Sequence, residues 1–304
     1  MTEYCLYGVK VFSDFALFDR PVSGSAVAPG EELALSIKES PGSAEVEGAV
    51  KIPLYTTHGR ELWLSSDREL ARSVPGQPWS LVVGDIVTLS WTGGEPTIYY
   101  QLHQQGTRDL LVFWFVHIFL PLHLTLERGY DFIHSAAVEI EGQPVLFIAP
   151  STGGKSTLGD YFLKQGHPML SDDKVATFFY EDESWAVPSH PHHRPFREFE
   201  VLGYPVENFA TSARPIHAFY ILEAGEPDSD IAITEIEGFR KFEQLLPHYL
   251  FGFRFLKQQR MRWLAQLADQ SLVFKVHRPW DLDRMHEVYD AVCAHSRSLP
   301  GAVA

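Results

Sequence analysis

A chain of 304 residues with 45% hydrophobic and 21% charged residues can bury a real core, and at about 100–200 residues per domain it makes one large domain or two smaller ones. Its aromatic content of 13% excludes a disordered composition. The formal net charge of −14 argues against nucleic acid as a main partner, because a phosphate backbone needs a basic surface; the acidic surface serves solubility or a basic peptide or protein partner.

The opening "MTEYCLYGVKVF" lacks a basic region followed by a long apolar core, so no secretory signal is expected. The cysteines, Cys5 and Cys293, have no metal spacing and predict no disulfide framework. The first third alternates short runs rich in Val, Ile, Leu and aromatics with turn clusters. "YCLYGVKVFSDF", "LALSIKES", "ELWLSSD", "WSLVVGDIVTLSW" and "PTIYYQLHQ" read as strands; "VAPGEE", "SPGSAE" and "TGGEP" punctuate them. This makes a β-rich N-terminal region over 1–108, with the boundary near 105–109 and a second region over 109–304. The run "LLVFWFVHIFLPLHLTL" is shorter than the roughly 20 apolar residues of a membrane span and is interrupted by His117, Pro121 and His123. It reads as a buried helix, and the chain as soluble and cytoplasmic with no membrane partner.

Two strands are expected next, over 132–140 and 145–148, joined by a turn at Glu141-Gly142-Gln143-Pro144. A helix then begins near Lys155, with Leu158, Tyr161, Phe162 and Gln165 at helical spacing and Gly166 as its C-terminal cap. "PMLSDDKVATFFY" reads as another strand with Asp172-Asp173 at one end. "SWAVPSHPHHRPFREFEVLGYP" reads as a loop, and "HAFYILEA" and "IAITEIEG" as strands. The chain is expected to be helical from "FRKFEQLLPHYLF" through "QQRMRWLAQLADQ". "LVFKVHRP" is a last strand, and "DLDRMHEVYDAVCAHSRS" a last amphipathic helix.

The strand–loop–helix "VLFIAPSTGGKSTLGDYF" has the chemistry of a phosphate-binding loop. Backbone N–H groups of Ser151, Thr152, Gly153 and Gly154 would face a phosphate at a helix N-terminus. Lys155 would reach the β- and γ-phosphates. The Ser156 hydroxyl would bind Mg²⁺, and Thr157 offers a further hydroxyl. Ala149 departs from G-x-x-x-x-G-K-[ST]. Alanine serves at that strand exit if its φ is negative, whereas a left-handed geometry would be costly. Asp172 and Asp173 close the next strand, so in a parallel sheet they would lie at the loop's edge. There, one carboxylate would accept the proton of an attacking hydroxyl and the other would hold Mg²⁺. His134, on the strand before the loop strand, would approach the phosphates.

Together, "FIHSAAVEIEGQPVLFIAPSTGGKSTLGDYFLKQGHPMLSDDKVA" resembles the HPr serine kinase/phosphorylase family. Its pattern is a histidine strand, a short turn, the phosphate-loop strand, GK[ST], a helix and then RGH-x-L-x-[AS]-DD-x-V. The resemblance implies a phosphoenolpyruvate-carboxykinase-like α/β nucleotide fold, ATP with Mg²⁺, and phosphorylation of a serine hydroxyl. It implies Asp172 as general base, Asp173 as its acidic neighbour, Lys155 and Ser156 as phosphate and Mg²⁺ ligands, and His134 near the transferred phosphate. The family's later glycine-rich signature with its metal-binding glutamate is missing; "SHPHHRPFREFEVLG" stands there instead. In that loop Arg194 or Arg197 would neutralise the γ-phosphate, and Glu198 would replace the missing carboxylate. His190, His192 and His193 do not have regular zinc spacing. The layout with this "RPFRE" loop looks most like the HPr-kinase-like proteins of lasso-peptide gene clusters, which implies a precursor peptide as substrate. An HPr-like carrier, a hydroxylated metabolite, a non-catalytic ATP sensor and a homo-oligomer stay open.

Overall fold

The computed structural model describes residues 1–19, 33–48, 50–57, 60–71, 74–195 and 198–300. The chain forms two compact units. The first takes Met1–Tyr130 with Arg197–Leu202 and Phe253–Leu256; the second takes Asp131–Phe196, Gly203–Gly252 and Lys257–Ala304.

The first unit is built on an eight-stranded sheet. Its strands are β1 (Thr2–Leu6), β2 (Val9–Ser13), β3 (Ala34–Glu39), β4 (Val50–Thr57), β5 (Arg60–Ser66), β6 (Trp79–Val83), β7 (Val87–Trp91) and β8 (Thr97–Leu102). They lie in the order β1-β2-β3-β8-β7-β6-β5-β4. "YCLYGVKVFSDF" is a hairpin rather than one strand, because Tyr7 and Gly8 take φ of 50° and 74°, the left-handed pair that a two-residue turn needs. β4 has no clear strand pattern in sequence; Pro53 interrupts its alternation, and its register with β5 shifts after Pro53. The apolar run that follows is helical: α1 (Arg108–Trp114), a π-helical turn at Phe115–Phe119 and α2 (Leu120–Glu127). Pro121 cannot donate to the carbonyl four residues back, and the wide turn just before it takes up the mismatch. Arg108–Glu127 is long and apolar enough to cross a membrane by composition, yet 83% of its most apolar window is buried inside the protein, as expected for a core helix. This helix belongs to the first unit, so the units divide after Tyr130 and not at 108/109.

The second unit is α/β. Its main sheet has six strands in the order β12-β10-β11-β18-β20-β19. They are β10 (Ala136–Ile140), β11 (Gln143–Ile148), β12 (Met169–Ser171), β18 (Ala218–Gly225), β19 (Ala232–Glu235) and β20 (Val273–Pro279). β11, β18 and β20 run parallel, whereas β10 and β19 are antiparallel to their neighbours. A second sheet has the order β17-β14-β13-β9, from β9 (Asp131–His134), β13 (Lys174–Tyr180), β14 (Glu183–Val187) and β17 (Arg214–Pro215). A short ribbon pairs β15 (His192–His193) with β16 (Tyr204–Pro205).

Helices α3 (Lys155–Lys164) and α6 (Met285–Ser298) pack on the six-stranded sheet. Leu158 and Phe162 of α3, and Val288, Val292 and Cys293 of α6, share one core with Phe147, Tyr220 and Val276 of the strands. The 3.6-residue period puts those positions on one helix face. The region expected to be continuously helical instead breaks into α4 (Phe239–Leu245), short 3₁₀ turns at Leu246–His248 and Arg254–Leu256, and α5 (Lys257–Gln270). Pro247 and Gly252 stand in the interruption.

Both expected long strands around the acidic pair are broken. β9 and β10 are separated by Ser135 alone, β12 and β13 by Asp172-Asp173. His134 is opposite Lys174 and Ala137 opposite Ser171, so one antiparallel register crosses both breaks, and it shifts only afterwards, between Ala137 and Val138. The four strands are a single ribbon bent from one sheet into the other.

Candidate functional site

β11 delivers the chain into the loop Ala149–Gly154 with every residue from Pro144 to Ala149 buried. Positive φ in the loop is confined to Thr152 (64°) and Gly154 (81°). Ala149 therefore keeps an ordinary backbone, and its departure from the usual glycine is accommodated without strain. Its methyl takes up space instead: a Cβ on Gly153 would lie 2.7 Å from the Ala149 Cβ. Gly154 caps α3 in the left-handed region, and a methyl there would run into the Arg278 guanidinium. The glycines thus keep a narrow cradle open at a helix N-terminus, the geometry that suits a phosphate.

Lys155 is only 4% exposed. Its Nζ donates to the carbonyls of Ala149 at 2.8 Å and Pro150 at 3.3 Å, so the ammonium closes back over the loop. Ser151, Thr152 and Thr157 are exposed, and Ser156 is half-buried. A second cation arrives from the end of β20. Arg278 is 3% exposed and donates from Nη2 to the Gly153 carbonyl at 3.1 Å. Among the described residues no carboxylate lies within ion-pair distance of it, and its Nε has no hydrogen-bond partner. Burial lowers its pKa from the ordinary arginine value. A buried cation beside a helix N-terminus has the chemistry to attract an anion.

The bend in the ribbon forms the other half of the site. The strand pairing of His134 with Lys174 brings His134 Nδ1 to 3.2 Å from Asp173 Oδ1, with Arg194 Nη2 3.6 Å from Asp173 Oδ2. Burial pushes the Asp173 carboxyl up, but the His134 hydrogen bond and the charges of Lys174, His134 and Arg194 outweigh it and hold the group well below the usual range. Asp172 turns to a different set. Its Oδ2 accepts the Arg194 backbone N–H at 2.8 Å, and its Oδ1 is 3.0 Å from His193 Nδ1. His193 Nε2 is in turn 3.6 Å from Asp160 of α3.

The two halves share an edge. β12 runs alongside β11 with only antiparallel β10 between them, so both end toward the loop side: Ser171 and Leu146 are each opposite Ala137. The expectation of a parallel neighbour fails in detail but keeps its consequence, because two antiparallel steps restore the direction. His248 joins this edge. Its pKa falls to about 4, through burial first and then the charges of Lys155 and His134.

The structure therefore groups Asp172, Asp173, His134 and Arg194 in one cluster. It places Lys155 in the loop with Ser151 to Thr157, and gives His248 a position near both. Arg197 lies outside the described residues. Glu198 falls in the first unit, where it is exposed. The histidine tract separates along β15: His193 engages the carboxylates, while buried His190 is kept neutral chiefly by burial. Among the described residues no three His, Cys, Asp or Glu side chains gather as a metal cage. One hydroxyl (Ser156) and one already paired carboxylate (Asp173) fit a hydrated hard ion completed by phosphate oxygens, and no closed protein site. No motif in the sequence marks Arg278 or His248. Arg278 could have been found as the charged residue ending a strand at the sheet edge where ligands bind.

No family model and no curated protein matches the sequence. Among solved structures the chain is similar to the HPr(Ser) kinase/phosphatase from Coxiella burnetii, at 13% identity and a TM-score of 0.34, over 54% of this chain and 95% of that one.

Proposed function

We propose that this protein is an ATP-dependent kinase that phosphorylates a serine hydroxyl on a peptide, with a lasso-peptide precursor as the preferred substrate. The observation that carries this reading is the meeting, at one sheet edge, of a glycine cradle bearing two buried cations with a pair of separately held aspartates. Phosphoryl transfer asks a protein chiefly for charge neutralisation and alignment. Lys155 and Arg278 would neutralise the donor phosphates at the loop. Asp173, kept ionised by His134 and Arg194, is a poor proton acceptor and suits a charge-holding role. Asp172 would take the acceptor's proton as the hydroxyl oxygen bonds to the γ-phosphorus and the β–γ bridging bond breaks, leaving ADP. Mg²⁺, held by Ser156 and donor oxygens with Asp173 beside it, would supply further charge neutralisation. The reading also draws on the sequence resemblance over 132–176, which supports a phosphoenolpyruvate-carboxykinase-like kinase core and a cytoplasmic site of action.

The test is transfer from γ-labelled ATP to candidate precursor peptides, an HPr-like carrier and small hydroxylated metabolites. Label on a peptide serine, lost in Lys155→Ala, is the expected result. Tight ATP binding with no labelled acceptor would favour a sensor instead.

A further inference from the structure

β20 ends in Arg278-Pro279, and the next residue, Trp280, is left 50% exposed. Single exposed apolar side chains are ordinary; what sets this one apart is its place. Trp280 Cζ3 lies 3.5 Å from where a Cβ on Gly154 would stand, so the ring edge borders the turn that opens α3. The Arg278 guanidinium sits over the same ring, 5.0 Å from the centroid, and also holds the Gly153 carbonyl. The end of one strand thus presents a buried cation to the loop and, beside it, a half-open indole.

A nucleotide has the matching pair of parts, an anionic end and a flat aromatic end. We propose that Trp280 is the stacking shelf for the base of the bound nucleotide, with Arg278 clamped between the shelf and the phosphate cradle. The inference rests on the phosphate-donor reading above and adds how the rest of the donor is recognised. Stacking needs only a π-face, so the shelf accepts any nucleobase.

The full-length protein is titrated calorimetrically, with Mg²⁺ present, against ATP and separately against inorganic tripolyphosphate, which carries the charge without a base. In Trp280→Ala, ATP affinity should fall about tenfold or more, while tripolyphosphate affinity stays within about twofold. Trp280→Phe, which keeps a ring face, should retain most of the ATP affinity. Unchanged ATP binding in Trp280→Ala overturns the shelf. So does an equal loss of both ligands, which would make the indole only a brace for Arg278. A wild-type protein that binds neither ligand overturns the phosphate-donor reading itself, and the shelf with it. Wild-type binding of both ligands with no base-dependent loss in the variant overturns the shelf alone.

Discussion

Replacing Arg278 by methionine keeps a long unbranched stem and removes the charge. Bringing a cation out of water costs several kcal/mol after relaxation, and no carboxylate among the described residues offsets it here. The bond to the Gly153 carbonyl returns roughly 1.5–3 kcal/mol, as hydrogen bonds from charged groups do. The balance leaves the ligand-free protein less stable than an apolar isostere by about 1–3 kcal/mol. Arg278→Met should therefore melt higher without ligand, by about 2–8 °C, and bind ATP at least about tenfold more weakly. Ligand narrows that gap by about 1.3 kcal/mol. At a concentration 100 times the wild-type Kd, binding stabilises the wild type by about 2.7 kcal/mol, against about 1.4 kcal/mol for a tenfold weaker variant. Thermal melts with and without MgATP, supported by calorimetry, read both effects. A variant that melts lower than wild type and binds ATP equally well would refute the reasoning and make Arg278 a structural strut.

Other outcomes follow from the same geometry. Ala149→Gly restores the ordinary loop glycine, but it deletes a buried methyl and frees the backbone. It should destabilise by about 1–2 kcal/mol in denaturant unfolding, with ATP affinity unchanged; a clearly tighter complex would mean that the methyl distorts the cradle. Asp172→Asn should leave ATP affinity near wild type in calorimetry and abolish label transfer, whereas Lys155→Ala should lose both; transfer at the normal rate in Asp172→Asn removes that residue as the base. In the first unit, burial and the nearby Arg128 hold His123 at about 3. Its unfolded form takes up a proton near 6.5, so the unfolded state binds more protons between those values and stability falls as pH drops. His123→Leu should spare on the order of 2 kcal/mol of the loss between pH 6.5 and 5; equal slopes of unfolding energy against pH in the two proteins would show that His123 does not contribute. Asp173 acts in the same direction at lower pH. Its folded pKa is depressed, so its contribution is present above the unfolded value and fades as pH falls through the folded one.

The parts legible in sequence were those that local chemistry dictates. "VLFIAPSTGGKSTL" had to be strand, turn and helix, because an apolar run, two glycines and a helical period follow one another within a few residues. The pairing of His134 with Asp173 was only half legible: both residues stood out, but their contact depends on a register between strands separated by the whole loop and helix. Arg278 was hidden for a different reason. "LVFKVHRP" reads as a strand with Lys275 and His277 on one face; Arg278 falls on the other, next to Pro279, where a charge reads as the strand's exit to solvent, yet it is buried at the loop while Lys275 pairs with Glu223 near the surface. The interrupted helices after Phe239 show the converse error, where helical propensity extended across Pro247 and Gly252, which the fold uses as breaks.

The bent ribbon sets a ruler on the site. The register that pairs β9 with β13 carries across both breaks as far as Ala137 opposite Ser171, before it shifts at Val138, so the lengths of the two breaks are matched, with Ser135 on one side and Asp172-Asp173 on the other. Side chains alternate faces along a strand. One residue added or removed at either break would slip the pairing on one side of it and separate His134 from Asp173. The turn between β18 and β19, by contrast, can lengthen at slight entropic cost. Insertion tolerance should therefore drop sharply at Ser135 and between Ser171 and Lys174, making chain length there as much a determinant of the site as the identity of the two aspartates.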